Sequence, residues 1–105
     1  MYRRSLARAV PEATSSPAPL FVRKEGAGPV VLLLHGLGGD HTVWNGLIPA
    51  LSREFRVLAP DLRGHGRSVA PESSTYSFAE LEGDLKQLLD QEHAPAAHVV
   101  GLSEH

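Results

Sequence analysis

Val30-Val31-Leu32-Leu33-Leu34 is an unbroken apolar run that passes directly into His35-Gly36-Leu37-Gly38-Gly39-Asp40. An apolar run without polar alternation marks a strand covered on both faces, as in the interior of a parallel sheet. The glycine-rich polar segment behind it must then lie at the strand's carboxyl end. The pattern recurs. Arg56 to Ala59 reads as a second buried strand, closes at Pro60, and runs into Asp61-Leu62-Arg63-Gly64-His65-Gly66-Arg67-Ser68. His98-Val99-Val100 reads as a third, leading into Gly101-Leu102-Ser103-Glu104-His105. Leu20 to Lys24 adds a strand before the turn at 25–29.

Helical patterns fill the intervals. Thr42 to Leu51 forms a short helix with Val43, Trp44, Leu47, Ile48 and Leu51 on its inner side, and Trp44 is expected in the core. Ser77 and Glu80 have capping-box spacing, and Phe78, Leu81, Leu85, Leu88 and Leu89 then make one apolar stripe. Gly83 lowers the propensity of that helix by roughly 1 kcal/mol relative to Ala, and Pro95 ends it. Glu80, Glu82, Asp84, Asp90 and Glu92 are expected to form its solvated face. Strands alternating with helices predict a parallel α/β sheet, whose ligand crevice lies beyond the carboxyl ends of the strands.

Composition narrows the function. A net charge of −2 gives no electrostatic case for nucleic acid or an anionic membrane surface. With no cysteine, thiolate metal sites and a cysteine nucleophile are excluded, and a reducing, cytoplasmic setting is expected. The apolar run at 30–34 is far too short to span a bilayer, which takes about 20 residues. His41, His93, His98 and His105 lack metal-binding spacing, so no metal site is expected. Residues 1–19, with Arg3, Arg4 and Arg8 followed by Pro11, Pro17 and Pro19, read as a disordered leader, and 20–105 as the folded part.

HGLGGD at 35–40, DLRGHGRS at 61–68 and VVGLS at 99–103, in that order, resemble the α/β-hydrolase superfamily, in the flavour of its esterase and lactonase branch. The resemblance covers about Leu20 to Ser103 and implies the N-terminal half of that fold. It places the strands in the spatial order 20–24, 56–59, 30–34, 98–100, and the family's first strand has no counterpart in the proline-rich residues 11–19. It implies that Ser103 is the nucleophile and that the N–H groups of Leu37 and Glu104 form the oxyanion hole. His35, Gly36, Gly38, Gly39, Asp61 and Arg63 would support the loops. The implied partner is a small ester-like molecule, cleaved through an acyl-serine, and the resemblance implies no organic cofactor or metal. A serine at position 103 argues against the haloalkane dehalogenase branch, which carries aspartate there.

The elbow departs from the G-x-S-x-G pattern, because His105 stands where a small residue belongs. A histidine base and an acid would follow later strands in the family. The expectation for this chain alone is therefore a partial fold without turnover, with the strand at 98–100 as an aggregation-prone edge. The rival reading is a non-catalytic truncated fragment or binding piece of the same fold.

Overall fold

A computed structural model describes residues 2–3 and 19–101. The strands are β1 (Tyr2–Arg3), β2 (Val22–Glu25), β3 (Val30–Leu34), β4 (Arg56–Pro60) and β5 (Ala96–Gly101), with helices α1 (Ile48–Leu51) and α2 (Phe78–Gln91). They form one sheet in the order β1-β5-β3-β4-β2. The β2-β4-β3-β5 part of this order is the one that the motifs imply. β3 runs parallel to both β4 and β5, but β2 pairs antiparallel to β4, so the sheet is mixed rather than parallel throughout. The short turn after β2 carries the chain past the end of β4 into β3, and a link without a crossover helix can only reverse the chain's direction, which sets β2 antiparallel to β4.

The apolar run of β3 is buried on both sides, as its lack of alternation requires. Leu32 and Leu58 point to one face, packing with Leu88 and Leu89 of α2 and with Ala94 and Ala97. Val31, Leu33, Val57 and Ala59 point to the other, packing on Ile48 of α1, with Trp44, Leu51 and Phe55 partly buried against them. Trp44 is thus a core residue.

The expected helix at 42–51 divides into a 3-10 turn (His41–Trp44) and the one-turn α1. Pro49 explains the break, since its ring would meet the carbonyl of residue 45 in a continuous helix and it has no N–H to donate. α2 starts at its reciprocal capping box of Ser77 and Glu80 and runs on through Gly83. It stops four residues before Pro95, where His93 turns left-handed (φ 55°) and Ala94 N–H bonds back to the Leu89 carbonyl.

β5 differs from the buried strand expected of it. Ala97 is buried, but Val99 and Val100 are each 39% exposed. β1 covers only Ala96 and Ala97 on the edge away from β3. Apart from Tyr2–Arg3, the expected leader at 1–19 falls almost wholly outside the described residues.

Candidate active site

β3, β4 and β5 are parallel, so their carboxyl ends open on one side of the sheet. Leu34 pairs with Gly101, which brings the start of the 35–40 segment level with the end of β5. Ser103 and Glu104 lie beyond Gly101 and outside the described residues, as does His105.

His35 is buried and has both ring nitrogens engaged. The Leu62 N–H donates to Nε2 at 3.0 Å, so Nε2 carries the lone pair and the proton sits on Nδ1, 2.7 Å from the Gly36 carbonyl oxygen. The chain then turns. Gly39 N–H donates to the Gly36 carbonyl at 3.1 Å, and Gly38 takes φ 84°, a conformation that a side chain would oppose. Leu37, at the tip, is 73% exposed. Asp40 ends the turn by capping the 3-10 helix, accepting from the Thr42 N–H at 2.8 Å and from the Thr42 hydroxyl. The bond from the Thr42 side chain, with that from its backbone, holds the Asp40 carboxyl below its ordinary range.

The 61–68 loop is organised around two buried charges. Asp61 Oδ1 accepts from the His41 N–H at 2.6 Å and from His41 Nδ1 at 2.8 Å, and Oδ2 accepts from the Arg67 N–H at 2.9 Å. Burial pushes this carboxyl up, but the Arg67 and His41 donors outweigh it and hold it below the usual range. Gly66 makes the arrangement possible: at φ 50°, a Cβ on it would sit 2.3 Å from Asp61 Oδ2. The Ser68 hydroxyl donates to the Asp61 carbonyl at 2.6 Å and accepts from the Phe21 N–H at 2.9 Å, tying the loop to the chain before β2.

Arg63 is fully buried. Its Nε and one terminal nitrogen donate to the two oxygens of Asp84, each at 2.7 Å, and its other terminal nitrogen reaches Ser74 Oγ at 2.9 Å and Glu80 Oε2 at 3.3 Å. The Asp84 bonds outweigh desolvation and raise the guanidinium's pKa further above its ordinary value. Glu80 and Asp84 are therefore core residues, contrary to the solvated face expected for them, because the helix turns them onto a cation from another loop. Phe78, expected in the apolar stripe, is 84% exposed at the helix start.

Asp40, His41 and Asp61 bring one potential metal-ligand atom each within 4.8 Å of one another. Both Asp61 oxygens already accept N–H bonds, so the trio works as a brace between the two loops. Its member His41 had no signal in the sequence, since its partner lies 20 residues away. His65 is also engaged, with Nδ1 3.0 Å from the Arg63 carbonyl. No helix among the described residues is long and apolar enough to cross a membrane.

Residues 29–103 match the family described as alpha/beta hydrolase fold. The chain is 42% identical over 84 residues to an epoxide hydrolase of Caballeronia sordidicola, covering 78% of this chain and 26% of that protein. A hydrolase from Pseudomonas aeruginosa superposes with a TM-score of 0.77 at 39% identity, over 87% of this chain and 35% of that one. A marine microorganism esterase superposes with a TM-score of 0.74 at 30% identity, over 80% of this chain and 32% of that one. The chain thus spans about a quarter to a third of the length of these relatives.

Proposed function

Because the chain belongs to the alpha/beta hydrolase fold family, we propose that it carries the nucleophile and oxyanion segments of a serine hydrolase acting on small esters, lactones or related molecules. The pairing of Leu34 with Gly101 is the observation that carries this reading. Leu34 and Gly101 are level at the carboxyl ends of two parallel strands, the arrangement that an oxyanion turn after β3 and a nucleophile after β5 would require. Ser103 Oγ would attack the carbonyl carbon, and the N–H groups of Leu37 and Glu104 would stabilise the resulting oxyanion. Collapse of that intermediate expels the alcohol and leaves an acyl-serine, which water then hydrolyses.

The reading includes inactivity of the 105-residue chain on its own. A serine hydroxyl needs a base within hydrogen-bond reach. His35, His41 and His65 are committed to Leu62, Asp61 and the Arg63 carbonyl respectively. The base and its orienting acid would come from further polypeptide of the same fold. The proposed division is a leader at 1–19 and a hydrolase segment at 20–105, in a cytoplasmic setting that a cysteine-free chain suits.

The test combines a fluorophosphonate probe with a short-chain aryl ester, using Ser103→Ala as control. Labelling and turnover that depend on Ser103 are expected in protein that also supplies the base and acid, with neither in the 105-residue chain alone. Turnover by the 105-residue chain would refute its inactivity, and labelling at another residue would refute the nucleophile. Similarity to an epoxide hydrolase favours a second reading, epoxide opening at the same site. Turnover of styrene oxide without ester turnover would select it.

A further inference from the structure

We infer that His35 and His41 form a two-ended clamp on the turn at 36–40, which makes His41 a positioning residue for the Leu37 N–H. The inference rests on the oxyanion reading of that turn.

Among the described residues, the turn has little else to set its shape beyond the Asp40 cap on Thr42. One internal bond closes it, from Gly39 N–H to the Gly36 carbonyl. Among the described residues, no atom beyond its chain neighbours lies within 4 Å of where a Cβ on Gly38 would stand, and Leu37 is exposed, so they leave its outer side open. Its geometry must be imposed from the ends. At the start, His35 Nε2 takes the Leu62 N–H. At the exit, the His41 N–H and ring Nδ1 both meet Asp61 Oδ1. Asp61 and Leu62 are consecutive residues, held in turn by β4, Arg67 and Ser68. Two histidines thus fasten both ends of an open turn to one rigid dipeptide.

The two ends differ in their response to a proton. His35 accepts from Leu62 only while Nε2 is bare, so taking up a proton there breaks the bond. His41 keeps an Nδ1–H donor whether its ring is neutral or charged, and Asp61 remains its acceptor. The group facing His35 is the His65 ring, 5.1 Å away, with Asp40 acting on it electrostatically. His41 faces Asp61, Asp40 and the Phe21 ring at 5.0 Å, and the Arg67 guanidinium lies 5.1 Å from that same ring. A proton on His35 should therefore release the start of the turn, while the exit stays fastened for as long as Asp61 is ionised.

NMR of the full 105-residue chain tests this without any turnover, so failure of the ester chemistry and failure of the clamp are separable. At neutral pH the His35 ring nitrogens should report a protonated Nδ1 and a bare Nε2. On mild acidification that leaves Asp61 ionised, Leu62 amide protection should fall while protection of the His41 amide persists. His35→Gln, whose carbonyl can accept and whose charge does not change, should remove that fall. His41→Phe keeps a ring against Phe21 but has no donor, and should speed Gly39 amide exchange about tenfold. His41→Asn, with an N–H donor in nearly the same place, should restore it to within about twofold. Unchanged Leu88 and Leu89 amides would show that α2 is intact in both variants. An Nε2–H tautomer at His35, or equal Gly39 exchange in His41→Phe and the parent, overturns the clamp. Should His41→Phe not fold, the ring tautomer and acid response of the parent chain decide.

Discussion

The 36–40 turn and the 61–68 loop lie against each other and are both rich in glycine, yet they are held by opposite means. The 61–68 loop contains its own anchors, the buried Asp61 and Arg63, each with several charge-assisted hydrogen bonds. The 36–40 turn contains no buried charge, since Asp40 is half-buried and caps only the next 3-10 helix, and it is fastened to that neighbour through His35 and His41. In the proposed reading the 36–40 turn would present bare backbone N–H groups to an oxyanion, which leaves little room for side chains that would brace it from within. Rigidity is therefore supplied from the adjacent loop. Damage should spread from 61–68 to 36–40 and not in the reverse direction.

Arg63→Ala should break this relation most severely. It strands Glu80 and Asp84 in the core without their cation and should cost about 3–5 kcal/mol in chemical denaturation. Gly66→Ala comes next. A left-handed φ and a Cβ 2.3 Å from Asp61 Oδ2 must displace the carboxylate, so a loss of about 2–3 kcal/mol is expected, together with faster exchange of the amide at position 41. Acid weakens the same carboxylate more gently. The Asp61 pKa is lowered by folding, so its contribution is fully present above the ordinary carboxylate pKa and is lost as pH falls through the lowered folded value. A pH series of denaturation midpoints should show that loss, and Asp61→Asn should flatten it. Gly38→Ala should have the smallest effect. Its φ is also left-handed, but the space is open, so about 1 kcal/mol is expected and the amide exchange of Arg67 and Ser68 should not change. Equal spread from Gly38 and Gly66 would remove the asymmetry.

Much of the scaffold was legible in the sequence because it rests on local chemistry. The apolar run at 30–34 could only be a doubly covered strand, and Ser77 with Glu80 could start α2 from their spacing alone. The family motifs also gave the order of the four long strands. Other features were hidden for identifiable reasons. Glu80 is at once a capping residue and an ion-pair partner of Arg63, and periodicity reports only the first role. Asp84 lies on the polar side of the helical pattern, but that side meets a guanidinium rather than water. His41 carries no motif, because its acceptor is set by strand order and not by spacing.

The sequence by itself determined which segments become strands, that the run at 30–34 is buried, where α2 begins, and that glycine-rich polar turns follow β3 and β4. These depend on periodicity, capping and backbone freedom, which act within a few residues. Only the tertiary structure decided that β2 runs antiparallel, that α2 hides two carboxylates against Arg63, and that two histidines fasten the 36–40 turn to Asp61 and Leu62. Each of those outcomes joins groups far apart in the chain, and a charge or a ring nitrogen acquires its partner only when the sheet brings the two together.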